Sequence, residues 1–336
     1  MKSFYEFLQM IQEQEAAQFP RQVVNPMADP TNKGFSAQAN QVAGDSLDQA
    51  DKAAQKQKLQ DILGKDYETF VQMLGQNIGD PKFLKFLQSG LEDGMKQDDI
   101  VKFAKINAPC VQLIPTQNEV DLDKSLAWSL TKTPSATLLK YFQGVPSAPG
   151  GPIITCCGGK YVIDGHHRWS QLYCMNPQCP IQCIDMSSMR EPKMALKVAQ
   201  IGTVAQGTYN VQSAAPGNNL FVLGEAPIKA YVAKKMGPEA YAAFSQLAQQ
   251  QAMTGNSMPS NITFTAREQI DIQSGGDRII AFAQDYIWKN VQSLQSNNQP
   301  ISGAPKRDFM PQTGDSAAGF MRHLAAGKVN WNTAAK

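Results

Sequence analysis

The apolar run Tyr161-Val162-Ile163 ends at Asp164-Gly165 and passes straight into His166-His167-Arg168-Trp169. Strand-like residues, a glycine and then apolar residues at helical spacing describe a strand that turns tightly into a helix. Upstream, Ile153 to Cys157 and Tyr161 to Ile163 flank Gly158-Gly159, which is a hairpin signal. Downstream, a helix read over His167 to Met175 is ended by Asn176-Pro177, and Ile181 to Met186 reads as the next strand. A helix start exposes unpaired N–H groups and the positive end of the macrodipole, so the junction suits an anion. Gly165 lets the backbone approach such a ligand, and Arg168 supplies a planar donor that grips a phosphate at two points. Asp164 is placed either to orient a histidine or to hold Mg²⁺.

The rest of the chain divides by pattern. Residues 1–17 carry Phe4, Phe7, Leu8 and Ile11 at helical spacing, an amphipathic helix that docks on the same chain or on a protein partner. Residues 18–50 are rich in Pro, Gln, Asn, Ala and Gly and read as a linker or disordered arm. Residues 51–107 read as helical. Gly64 breaks a first pair, Asp80-Pro81 opens a third helix, and Asp98-Asp99 leads a short one through Val101 and Phe103.

From 108 to 190 the pattern is mixed. Val111 to Ile114 is a short strand ended by Pro115, and helices follow over Asp121 to Leu130 and Ser135 to Phe142, before the hairpin and its helix. Residues 191–296 return to helices at 191–206, 227–251 (interrupted at Gly237-Pro238) and 265–295, and 297–336 read as a flexible tail. The fold class is therefore α+β, a small mixed sheet embedded between largely helical N- and C-terminal regions. With 336 residues the chain holds one large domain with appendages, or two domains.

Composition limits the function. The net charge is +2 and only 18% of residues are charged, so the chain as a whole is no nucleic-acid sponge. No run of about 18 apolar residues exists, so no membrane span is expected. No apolar signal region is seen near the N-terminus. Six cysteines without an export signal read as reduced thiols in the cytoplasm. Cys174, Cys179 and Cys183 lie close to one another, but without a CxxC pair they read as buried thiols rather than zinc ligands. Trp169, Leu172 and Tyr173 read as core. Gly217-Asn218-Asn219-Leu220 reads as an ordinary turn, with a ligand loop as the alternative.

The order strand-Pro115, helix, hairpin, Asp164-Gly165-His166-His167-Arg168, helix, strand resembles the ParB/sulfiredoxin superfamily. The DGHHR form is common among its ParB-like domains, including those of phages and other mobile elements. Leu113 to Val120 resembles the family's first box. The likeness covers about residues 110 to 187. It implies a nucleotide, which here means ATP, ADP or CTP with Mg²⁺, gripped by its phosphates at Gly165, His166, His167 and Arg168. Thr116 and Gln117 would assist from the first box. Glu119 is the nearest counterpart of the base in serine-kinase relatives, with Asp121 and Asp123 behind it; Asp164, His166 and His167 complete the candidate catalytic set. His166 stands in the slot of the sulfiredoxin cysteine, which argues against that thiol chemistry. No clear helix-turn-helix follows, which argues against centromere binding.

Three functions fit these residues: Mg²⁺-dependent phosphate cleavage or phosphoryl transfer, a ParB-like nuclease or DNA-binding accessory, and a phage or virus structural protein that keeps the fold as a scaffold. The expected place is the cytoplasm, or the host cytoplasm or virion for a phage-encoded chain.

Overall fold

The computed structural model describes residues 47–90, 96–206, 217–254, 277–311 and 317–333. The amphipathic segment at Phe4 to Ile11, nearly all of the 18–50 arm and the stretch 265–276 lie outside the described residues.

Local sequence sets most helix starts. Asp48 accepts the N–H of Asp51 and caps α1 (Gln49–Leu63); Asp66 accepts that of Thr69 and caps α2 (Tyr67–Asn77). Asp80, with Pro81 in the first turn, opens α3 (Pro81–Leu87). Asp121 caps α4 (Leu122–Thr131), which is followed by α5 (Ser135–Phe142). The hairpin is β3 (Ile153–Cys156) and β4 (Tyr161–Asp164), and it leads into α6 (His166–Met175). After β5 (Pro180–Met186) come α7 (Pro192–Val204), α8 (Glu225–Lys235), α9 (Pro238–Thr254), α10 (Asp277–Asn297) and α11 (Ala317–Ala325).

Two further strands complete a five-stranded mixed sheet. β1 (Phe103–Pro109) pairs antiparallel with β5, from Phe103 opposite Met186 to Pro109 opposite Pro180. β2 is only Ile114–Pro115, parallel to β4 at the opposite edge. The strand order is β1-β5-β3-β4-β2, with β5 and β3 parallel and β3 and β4 antiparallel. The fold class is thus mixed α+β, with helices flanking the central sheet.

Neighbouring strand residues point to opposite faces, and here both faces are covered. Ile153, Val162, Ile181 and Cys183 face a core made with α4, α5, α6, α8, α9 and α10. Ile154, Ile163, Ile184 and Met186 face a second core made with α1, α2, α3, α7 and α11. The first core contains a ring cluster in which Phe142, Phe244 and Tyr286 lie 5.0–5.7 Å apart. Trp169, Leu172 and Tyr173 are wholly buried there, as their spacing predicted.

Four expectations need correction. Asp98-Asp99 does not start a helix through Phe103: a 3₁₀ turn ends at Asp99 and a strand begins at Phe103. The Asp99 carboxylate instead accepts the N–H groups of Trp331 and Asn332 at 2.8 and 2.9 Å. A boundary at 108 therefore cuts through β1. Val111 to Ile114 is mostly a 3₁₀ turn, Cys110–Gln112, with only Ile114 and Pro115 paired as strand. The tail is not loose where it is described. Phe320, Met321 and Leu324 of α11 are buried in the second core, and Asn330 donates to the carbonyl of Phe86.

Candidate functional site

β4 carries Asp164 to the turn, and Gly165 makes it with φ 91° and ψ 27°. That left-handed conformation favours glycine, and a Cβ there would come 2.6 Å from Ile153 Cγ2 and 3.0 Å from Arg168 Nε. The Trp169 N–H then donates to the Gly165 carbonyl at 2.9 Å and the helix is under way.

Arg168 folds back over this turn. Its Nη2 lies 3.1 Å from Asp164 Oδ2, and its Nη1 donates to the Pro152 carbonyl at 3.0 Å. The guanidinium thereby ties the loop before β3 to the start of α6. It also neutralises Asp164, the carboxylate nearest the helix start, with both side chains more than four-fifths covered. Gly151, at φ 103°, passes close by: a Cβ there would lie 3.6 Å from Arg168 Nη1.

The two histidines face the first box. His166 is buried, and its Nε2 accepts the Thr116 N–H at 3.1 Å. The Thr116 hydroxyl lies 3.4 Å from the same nitrogen and donates to the Val162 carbonyl. Burial lowers the His166 pKa to about 4, so the ring is neutral, and the accepting role of Nε2 assigns the proton to Nδ1. His167 is half-buried and its Nε2 accepts the Asp121 N–H at 3.2 Å. Two successive helix residues therefore hold the two ends of the segment 116–121.

Gln117 is also buried, and its side-chain amide donates to the Glu119 carbonyl. Thr116, Gln117, Asp164, Gly165, His166, His167 and Arg168 are thus gathered around one turn. Glu119 lies in the same loop, half-buried, but its carboxylate takes no part in these bonds among the described residues.

Several supporting residues carried little or no sequence signal. Asn219 Oδ1 accepts the Val120 N–H at 3.1 Å, and the Leu122 N–H donates to the Asn218 carbonyl at 2.8 Å. Gly217 approaches so closely that a Cβ would come 2.0 Å from Asp121 Oδ2. The Gly217–Leu220 stretch is therefore a brace for the first box; only its Gly-Asn-Asn composition hinted at a special role. Burial raises the pKa of Asp121, opposed by the charge of Arg307. From the far side, Asn298 Nδ2 donates to the carbonyls of Val111 and Leu113, its Oδ1 accepts from Tyr173, and the Asn118 N–H donates to the Pro305 carbonyl.

The arrangement suits an anion. The helix start is fixed by Gly165, its adjacent carboxylate is paired, and a neutral imidazole stands beside it. Asp164 does not suit a divalent cation, because the Arg168 guanidinium occupies it. A hollow of about 430 Å³, lined by Gln88, Ala205, Gln206, His323, Lys328 and Val329, contains none of these residues. Among the described residues no helix is long and apolar enough to cross a membrane. Comparison with protein families, curated proteins and solved structures found no match to the chain.

Proposed function

We propose that the chain binds a nucleotide by its phosphates at the start of α6 and cleaves or transfers a phosphoryl group there. One observation carries the reading: a left-handed Gly165 starts a ten-residue helix whose adjacent carboxylate is already paired with Arg168. Backbone N–H groups of residues 166–168 meet the phosphate, and the Nδ1–H of His167 donates beside them. Arg168, tied to Asp164 and to the Pro152 carbonyl, holds the helix start in shape and cancels the repulsion that the carboxylate would exert on the phosphate. The side chains of His166, Thr116 and Gln117 are buried and hold the first box in place rather than touch the ligand. Glu119, in that half-exposed loop, is the base that accepts the proton of water or of an acceptor hydroxyl. Mg²⁺ accompanies the nucleotide's phosphates and screens their charge; Asp164 does not hold it.

Titration calorimetry with ATP, ADP and CTP, each with Mg²⁺, tests the reading. At least one should bind, and His167→Ala should weaken that binding about tenfold or more, the loss of one hydrogen bond to a charged group. Binding of none, or binding unchanged in His167→Ala and in Arg168→Ala, would refute it. Glu119→Gln should retain binding and lose turnover.

A further inference from the structure

The hairpin tip between β3 and β4 carries a chemistry that the phosphate site does not use. Cys156 and Cys157 are adjacent in sequence, and their Sγ atoms lie 3.3 Å apart as a thiol–thiol contact. Cys156 is wholly buried at the end of β3, between Met186 of β5 and Tyr161 of β4. Cys157 is half-buried at the turn.

Among the described residues Cys157 is the one non-glycine with positive φ, at 59°. A side chain in that region costs roughly 1–2 kcal/mol, which an ordinary turn residue avoids by being glycine. The strain is held from outside. The buried Asp185 accepts the N–H of Gly159 at 2.8 Å and the Thr155 hydroxyl at 3.1 Å, and the Lys160 N–H donates to the Cys156 carbonyl at 3.0 Å. Gly159 has φ 76°, where a side chain is strained, and a Cβ there would also push against Ile106 Cδ1 at 2.2 Å. A strained residue held by its surroundings is where a functional role is sought first.

We propose that Cys156–Cys157 is a reversible two-electron redox site, a dithiol that a peroxide closes to a disulfide between neighbouring residues. Cys157 reacts first because it is the more accessible. Its thiolate attacks one peroxide oxygen, the O–O bond breaks, and hydroxide leaves, so that Cys157 becomes a sulfenic acid. The Cys156 sulfur then attacks Cys157 Sγ, and the S–OH oxygen departs as water with the Cys156 proton. In sum two thiols and one hydrogen peroxide give one disulfide and two waters.

Consecutive Cα atoms are about 3.8 Å apart, shorter than the roughly 4.4–6.8 Å that disulfides ordinarily span, so the ring is strained and small thiols reopen it readily. Burial raises both thiol pKa values, so the thiolate is scarce near neutrality and the reaction quickens with rising pH. Cys110, Cys174, Cys179 and Cys183 are buried in or beside the other core and are not part of the site.

The test treats the folded full-length chain with hydrogen peroxide, blocks remaining thiols with iodoacetamide, and digests with trypsin. The peptide spanning 141–160 carries just these two cysteines. It should escape alkylation and weigh two hydrogens less than the reduced peptide, and dithiothreitol before blocking should restore two alkylations. Its rate of formation should rise about tenfold per pH unit below the thiol pKa. In Cys156→Ser the Cys157 thiol should pass on to the sulfinic acid. In Cys157→Ser, a turn substitution that spares the core, Cys156 should stay reduced. Two alkylated thiols after peroxide, a sulfinic acid in the unsubstituted chain, or a disulfide to any other cysteine would overturn the proposal.

Discussion

Replacing His166 by glutamine tests the account of the first box through proton linkage. In the folded chain this imidazole is buried and neutral with a pKa of about 4, against 6.5 for an ordinary histidine. The folded state therefore binds fewer protons than the unfolded state below pH 6.5. Stability is complete above that pH, falls as the pH drops from about 6.5 to about 4, and levels off once both states are protonated. The gap corresponds to about 3 kcal/mol over the whole range, and to about 2 kcal/mol between pH 7 and pH 4.5. Glutamine does not titrate, and its carbonyl can accept the Thr116 N–H that His166 Nε2 accepts at 3.1 Å. Urea denaturation of both chains at pH 7 and pH 4.5 gives four free energies. The carboxylates are common to both chains, so the difference of differences isolates His166. The unsubstituted chain should lose about 2 kcal/mol more than His166→Gln on acidification. An equal loss in the two would mean that His166 is solvated and titrates normally, and the clasp between α6 and the first box would have to be abandoned.

The turn and the tail give two further expectations. Gly165→Ala places a methyl 2.6 Å from Ile153 Cγ2 on a backbone at φ 91°, and should cost about 2–4 kcal/mol in chemical denaturation; an unchanged midpoint would remove the special role of the glycine. Deleting residues 317–336 withdraws Phe320, Met321 and Leu324 from the second core and strips Asp99 of its partners at Trp331 and Asn332. The three side chains alone amount to about 6 kcal/mol, comparable with the whole stability of many domains, so the thermal transition should shift sharply down or vanish. A melt like that of the full chain would restore the tail to a flexible appendage.

What could be read from the chain was mostly what neighbours in sequence decide. The break at Gly64, the helix starts at Asp80 and Asp121, the Gly158-Gly159 hairpin and the stop at Asn176 all act within a few residues, and each element they bound appears where it was expected. β1 was missed because Phe-Ala-Lys-Ile-Asn-Ala-Pro has weak strand character of its own; it is a strand because β5 offers an edge with unpaired N–H and C=O groups. Asp98-Asp99 looked like a helix start because a carboxylate before an apolar run often caps a helix. The Asp99 carboxylate is spent instead on N–H groups 232 and 233 residues away.

The same division runs through the site. The residues of the turn, its glycine and its helix start follow from Tyr161 to Trp169 alone, because a strand, a left-handed glycine and a helix are local events. The fate of the side chains was decided by the tertiary structure. Arg168 turns inward because the Pro152 carbonyl and Asp164 meet it there, and His166 is neutral because the first box closes over it. Burial and long-range hydrogen bonds set charge and direction, and neither is written in the spacing of residues along the chain.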